Sequence, residues 1–277
     1  MARRPFPYYD PRLPNNGPDM NAFSRSLLSL CLLLPALPAA AEEMDNNLKD
    51  AINQNEYESC MTLAQRTPAE AYSSAKSWSE KGGGAAAQHC GAVALIGMNK
   101  PKEAAEMMER AAESIRQEKP MLAAELYGQA GQAWTMADDV THALNAQNEG
   151  LALAPDNTDL LVDRAISYAA KQDFRSAVAD LDKAHELDAY RADVLTYRAS
   201  AWRYLRDNKK ALEDAEAALA LEPQNPDALL ERGIIRRLTD DPEGARIDWM
   251  QVMALAGGTP AGDAAKANLD KLNQKTP

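Results

Sequence analysis

The sequence predicts an all-α solenoid, a stack of helix-turn-helix units, on three observations. First, four alanines (Ala143, Ala177, Ala211 and Ala245) recur every 34 residues. A small residue at a fixed phase marks a close helix crossing, so each interval predicts one helix pair packed only on its neighbours. Second, apolar columns keep the same phase over units 124–157, 158–191, 192–225 and 226–259. Position 4 holds Tyr127, Leu161, Leu195 and Leu229; position 8 holds Gly131, Ala165, Ala199 and Gly233; position 30 holds Leu153, Leu187, Leu221 and Leu255. Large and small residues alternate as interlocking helices require. Third, Asp139, Asp173, Asp207 and Asp241 share position 16, where a short polar side chain bonds its own backbone and turns the chain.

Position 11 adds Trp134, Tyr168 and Trp202. With the columns at 4, 8 and 20, this stretch, about half the chain, resembles the tetratricopeptide repeat (TPR). The pattern departs at the end, where Arg236 replaces the aromatic, and at position 32, which holds Pro155, Ala189, Pro223 and Gly257. The resemblance implies a right-handed α-solenoid with a concave face that binds a protein or peptide.

Taken in order, residues 1–41 stand apart from the folded unit. Met20 to Ala41 reads as a secretory signal peptide, with Arg25 before an apolar run from Leu27 to Leu34 and a small-residue cleavage site at Ala39-Ala40-Ala41. An apolar stretch broken by Pro35 and Pro38 falls short of the roughly 20 residues that span a membrane. Export puts the chain in an oxidising compartment, where the two cysteines left after cleavage, Cys60 and Cys90, can pair.

Residues 42–123 predict degenerate helical pairs, with helices at about Glu56 to Arg66, Pro68 to Lys81, Ala85 to Ile96 and Lys102 to Gln117. Thr67-Pro68, Gly82-Gly83-Gly84 and Asn99 to Pro101 separate them. Cys60 and Cys90 then lie on alternate, parallel helices at matching heights. The step from Ala104 to Ala143 is 39 residues, five more than the period, which predicts a longer helix around Ser114 to Pro120. In the four repeats, position 2 is always acidic (Glu125, Asp159, Asp193, Asp227), which suits the positive end of a helix dipole. Residues 260–277 read as a capping helix and tail, with Ala264, Ala265, Leu269 and Leu272 on one face.

One charged pair also recurs with the period. Arg164 and Asp180, Arg198 and Asp214, and Arg232 and Asp248 occupy positions 7 and 23, which face each other across the two helices of a unit. Paired guanidinium–carboxylate hydrogen bonds are expected. The first repeat has Ala130 and Ala146 instead, losing both members together, as a pair predicts.

In the TPR family, positions 2, 5, 9, 12 and 13 line the concave face. Here they nominate Gln132, Ile166, Ser200, Arg203, Tyr204, Leu230, Ile234 and Arg237 as partner-binding residues of a mainly apolar groove. The lysine at 5 and asparagine at 9 with which some members clamp a C-terminal carboxylate are both missing. Arg203 and Arg237 are placed either to meet an acidic segment or to pair with Glu231 and Asp240.

The formal net charge is -11, and residues 1–41 carry four arginines and two aspartates, so cleavage takes it to -13. Such a chain repels nucleic-acid phosphates and anionic membrane surfaces. His89, His142 and His185 are singletons without metal-ligand spacing, and the glycine run lacks a phosphate loop's Lys-Ser/Thr. The expectation is a periplasmic or secreted scaffold, an adaptor or assembly factor that is no enzyme and needs no cofactor or metal. The alternatives are a self-associating structural protein of the cell envelope and, further off, an enzyme with an unrecognised site.

Overall fold

The computed structural model describes residues 54–273, so the leader and cleavage site expected at residues 1–41 lie outside the described residues. Every element described is a helix: α1 (54–66), α2 (Pro68–Glu80), α3 (Gly84–Gly97), α4 (Pro101–Ile115), α5 (Pro120–Met136), α6 (Val140–Leu153), α7 (Thr158–Ala170), α8 (Phe174–Leu187), α9 (Ala192–Tyr204), α10 (Asn208–Leu221), α11 (Pro226–Leu238), α12 (Pro242–Ala256) and α13 (Pro260–Asn273). From α2 onward each helix packs chiefly on its neighbours in sequence. The helices therefore form one continuous antiparallel stack.

The alanine period marks the crossings. Ala143, Ala177, Ala211 and Ala245 are all 0 % exposed. Position 8 adjusts to position 24 by volume. Gly131 faces Gln147, where an added Cβ would approach Cγ to 2.7 Å; Gly233 faces the Trp249 indole, where it would come within 2.5 Å of Nε1. Trp249 is fully buried and donates through that nitrogen to the Leu230 carbonyl at 3.3 Å. The last repeat thus carries its large aromatic at position 24, after Arg236 has replaced the one at position 11.

The turns inside the units share one construction. Asn99, Asp138, Gln172, Arg206 and Asp240 all have φ between 58° and 66°, the left-handed region. The following N–H reaches back five residues, as in Asp139 to the Trp134 carbonyl at 3.0 Å and Asp207 to Trp202 at 3.0 Å. This is a Schellman closure. The aspartate after it then caps the next helix: Asp139, Asp173, Asp207 and Asp241 accept from the backbone N–H of His142, Ser176, Lys210 and Gly244. One column ends a helix and begins another.

The five extra residues are divided between two helices. α5 has 17 residues against 13 for α7, α9 and α11, and α4 has 15 against 14 for α6. Because α5 starts at Pro120, Glu125 sits in its second turn. Only Asp159, Asp193 and Asp227 occupy the first-turn position that favours an acid. The helix expected to reach Gln117 stops at Ile115, where Lys119 N–H bonds the Ile115 carbonyl at 2.8 Å and closes the end.

A disulfide joins Cys60 on α1 to Cys90 on α3, with Cα atoms 6.2 Å apart. At the other end α13 lays Ala261 and Ala265 onto the core shared with Trp249 and Val252, and its Lys266–Asp270 pair faces water.

Candidate partner-binding groove

Odd-numbered helices of neighbouring units touch each other (α5 with α7, α7 with α9, α9 with α11), whereas even-numbered ones do so barely at most. The stack therefore curves with the odd helices inside, and their free side is the inner face.

Polar contacts run across that face from unit to unit. The Tyr57 hydroxyl meets His89 Nδ1 at 2.8 Å, and His89 Nε2 meets Gln129 Oε1 at 2.6 Å, linking α1, α3 and α5. Gln132 Nε2 donates to Asp163 Oδ2 at 2.8 Å, linking α5 to α7. Arg203 Nε donates to Glu231 Oε1, and Nη2 reaches Oε2 at 3.3 Å, linking α9 to α11. Arg191 joins Asp159 and Asp193 at the edge.

Burial shifts the titration of three carboxylates here. Loss of solvent raises Asp163 to about 7 against the Gln132 hydrogen bond, with the Asp159 charge adding to the rise. Desolvation alone raises Asp227 to about 6. Glu231 is also pushed up by desolvation, opposed by Arg203. Burial lowers His89, which favours the neutral ring.

The nominated residues divide into three groups. Ser200 (0 % exposed) and Leu230 (7 %) are buried beneath the face and display nothing, because position 5 and part of position 9 point at the neighbouring helix. Gln132 and Arg203 are half-buried and engaged within the chain. Arg203 takes Glu231 as its partner, touches Ser200 Oγ at 3.3 Å and lies 4.3 Å over the Tyr204 ring. It is not a free anchor for an acidic segment. Tyr204, Ile166, Ile234 and Arg237 remain accessible, Arg237 with no side-chain hydrogen bond or ion pair to a described residue. Tyr204 stacks on Phe174 at 4.4 Å with the rings 1° from parallel, which fixes its orientation. The displayed column is position 13: Met136, Ala170, Tyr204 and Leu238 are all exposed. It forms an apolar ridge, flanked by Ile166 and Ile234. The position-6 column (Gln129, Asp163, Glu231) went unread in the sequence. Polar residues recurring at one phase of an inner helix were the available signal.

On the outer side the three arginine–aspartate pairs are all formed. Arg164 meets Asp180 at 2.8 and 2.7 Å, Arg198 meets Asp214 at 2.8 and 2.8 Å, and Arg232 meets Asp248 at 3.0 and 2.7 Å. Each aspartate sits on the outer helix of its own unit. A second acceptor comes from the outer helix before: Arg164 Nη1 bonds Asn148 and Arg198 Nη1 bonds Asp182, both at 2.9 Å. Asn148 and Asp182 share position 25, a column the sequence did not reveal because its residues differ in kind. Arg236 adds a second guanidinium to Asp248 at 2.9 Å.

No protein-family model and no curated protein matches the chain. Solved structures do. The pilF protein of Pseudomonas aeruginosa superposes with a TM-score of 0.62 at 17% identity, covering 79% of this chain and 98% of that one. The chain has the fold of a TPR solenoid. MamA of Desulfovibrio magneticus RS-1, from residue 41 on, gives a TM-score of 0.55 at 17% identity over 64% of this chain and 97% of its own. YrrB, described as a TPR protein with an unusual peptide-binding site, gives 0.52 at 18% identity over 69% and 96%. At such identities the likeness is one of fold. Among the described residues no helix is long and apolar enough to cross a membrane.

Proposed function

We propose that this TPR solenoid is a scaffold that docks an extended protein or peptide segment along its inner face, acting as an adaptor or assembly factor in the periplasm or outside the cell. The carrying observation is the exposed position-13 ridge. Met136, Tyr204 and Leu238 repeat along the stack beside half-buried Ile166 and Ile234, with Arg237 as a cation at its C-terminal end. Stacking of unit on unit pre-forms this ridge, so the partner bears most of the ordering cost and a few apolar anchors set the affinity. The leader-like segment before Glu42 and the Cys60–Cys90 bridge both support export.

The test places a photo-crosslinker at Leu238 and, as control, at Glu213 on the outer side, in cells. The reading requires a discrete adduct from Leu238 that disappears with Tyr204→Ala. Equal adducts from both positions would sink it.

One observation favours a second reading, self-association. On α12 the outward residues are Ile247 (64 % exposed) and Met250 (59 %), where α6 carries Asn145 and Asn148. Light scattering of the protein with and without Ile247→Glu/Met250→Glu decides between a dimer held there and a monomer.

A further inference from the structure

The outer surface has a cleft where the first repeat lacks its arginine and aspartate. Its volume is about 540 Å³, and it lies between α4 and α6 over α5. One unit further on, the same groove between α6 and α8 measures about 320 Å³. The two are equivalent by column. Positions 4, 25, 26 and 29 line both: Tyr127, Glu109, Glu149 and Glu113 in the first, Leu161, Asn148, Lys183 and Ala152 in the second. In the second groove Arg164 lines the space, its guanidinium bonded to Asn148 and Asp180. In the first, Ala146 replaces the aspartate and lines the wall, and Ala130 replaces the arginine.

The position-25 acceptor has stayed although the arginine and its aspartate have gone. Glu109 on α4 is the counterpart of Asn148 and Asp182, once the five-residue insertion is counted, and those two residues bind a guanidinium in the units that follow. Glu109 accepts one hydrogen bond, from Trp134 Nε1 at 2.8 Å. Arg116 occupies the other end of the cleft. It bonds Glu149 at 2.7 Å and Glu113 at 3.5 Å, and Glu113 also takes the Tyr127 hydroxyl at 2.7 Å. Glu106 and Asn145, which share position 22 on α4 and α6, have no hydrogen-bond or ion-pair partner among the described residues. Four carboxylates and two guanidinium groups line the cleft, leaving it net negative.

We propose that this cleft receives an arginine side chain from a partner protein, which enters between α4 and α6 and takes the place that Arg164, Arg198 and Arg232 hold in the next three repeats. The planar, forked guanidinium fits acceptors arranged along two facing helices, whereas a lysine ammonium reaches fewer of them. The site lies on the face opposite the position-13 ridge, so it stands or falls independently of the groove.

The experiment titrates the disulfide-intact protein with N-acetyl-arginine amide and, separately, with N-acetyl-lysine amide, following backbone amide NMR shifts. Saturable shifts at Glu106, Asn145 and Ala146 are expected, with arginine binding about tenfold tighter than lysine. Ala130→Arg/Ala146→Asp, which rebuilds the pair within the chain, should abolish the response. Exposed-side substitutions Glu106→Gln/Asn145→Leu should weaken it severalfold, and they carry the test if the rebuilt variant does not fold. No saturable shift, an equal response to lysine, or unchanged binding in the variants would overturn the proposal.

Discussion

The two halves of this solenoid have one backbone plan and different fastenings. From α7 to α12 every unit carries an arginine–aspartate pair across its two helices, and Asp248 is almost completely enclosed, with 1 % of its side chain exposed. From α1 to α6 there is none. There Cys60–Cys90 ties α1 to α3, alanines fill the crossings of α3, α4 and α5, and the Tyr57–His89–Gln129 chain bridges three inner helices. The comparison shows that the TPR stack requires small residues at its crossings and a polar-satisfied turn, and leaves the remaining interhelical space to be filled in more than one way. Where it was not refilled, between α4 and α6, a cleft remains.

Breaking the C-terminal fastening has the largest expected effect. Asp248→Ala leaves Arg232 and Arg236 half-buried without their carboxylate, and should cost about 3–5 kcal/mol in urea unfolding. A loss under 1 kcal/mol would mean that water replaces Asp248 freely. Next comes the N-terminal staple: Cys60→Ser/Cys90→Ser should cost about 3.5–4 kcal/mol, the loop-entropy value for a closed loop of this size. Hydrogen exchange should speed up in α1–α3 and stay unchanged in α9–α12; uniform acceleration would contradict a regional role.

The inner face separates the halves by pH. Asp163 at about 7 and Asp227 at about 6 hold protons that the unfolded chain, at about 3.9 for aspartate, has already released. Their contribution is thus complete below about pH 4 and is lost as pH rises through 6 and 7. Melting temperature should fall between pH 5 and pH 8, and Asp163→Asn/Asp227→Asn should flatten the fall and add on the order of 1 kcal/mol at pH 8. Parallel curves for the two proteins would rule this out. The smallest effect concerns the turns: Arg206→Gly, at φ 66°, should stabilise by about 0.5–1 kcal/mol in thermal melts, because glycine adopts that region without strain.

These contrasts also show how much could be read from residues alone. The alanine column revealed the stack because each contact it marks is repeated, and the arginine–aspartate pairs were legible because both partners lie in one unit at constant spacing. The left-handed turn position was hidden. Asn99, Gln172 and Arg206 have no chemistry in common, and the requirement comes from the Schellman closure of the backbone. The groove was half legible. Position 13 is displayed, but Ser200 and Leu230 are covered by neighbouring helices. The choice between a free and a paired Arg203 rests on Glu231, 28 residues away in the next unit, and on how closely α9 approaches α11. The acceptors at position 25 escaped notice because asparagine, aspartate and glutamate fill one column.

The arginine–aspartate pair is a replaceable filling that acts as one unit. A double-mutant cycle on Arg198 and Asp214, measured by urea unfolding, tests it directly. Asp214→Ala alone should cost about 3 kcal/mol, and Arg198→Ala/Asp214→Ala should cost less than that single change, as the Ala130/Ala146 repeat implies. Additive losses would contradict it.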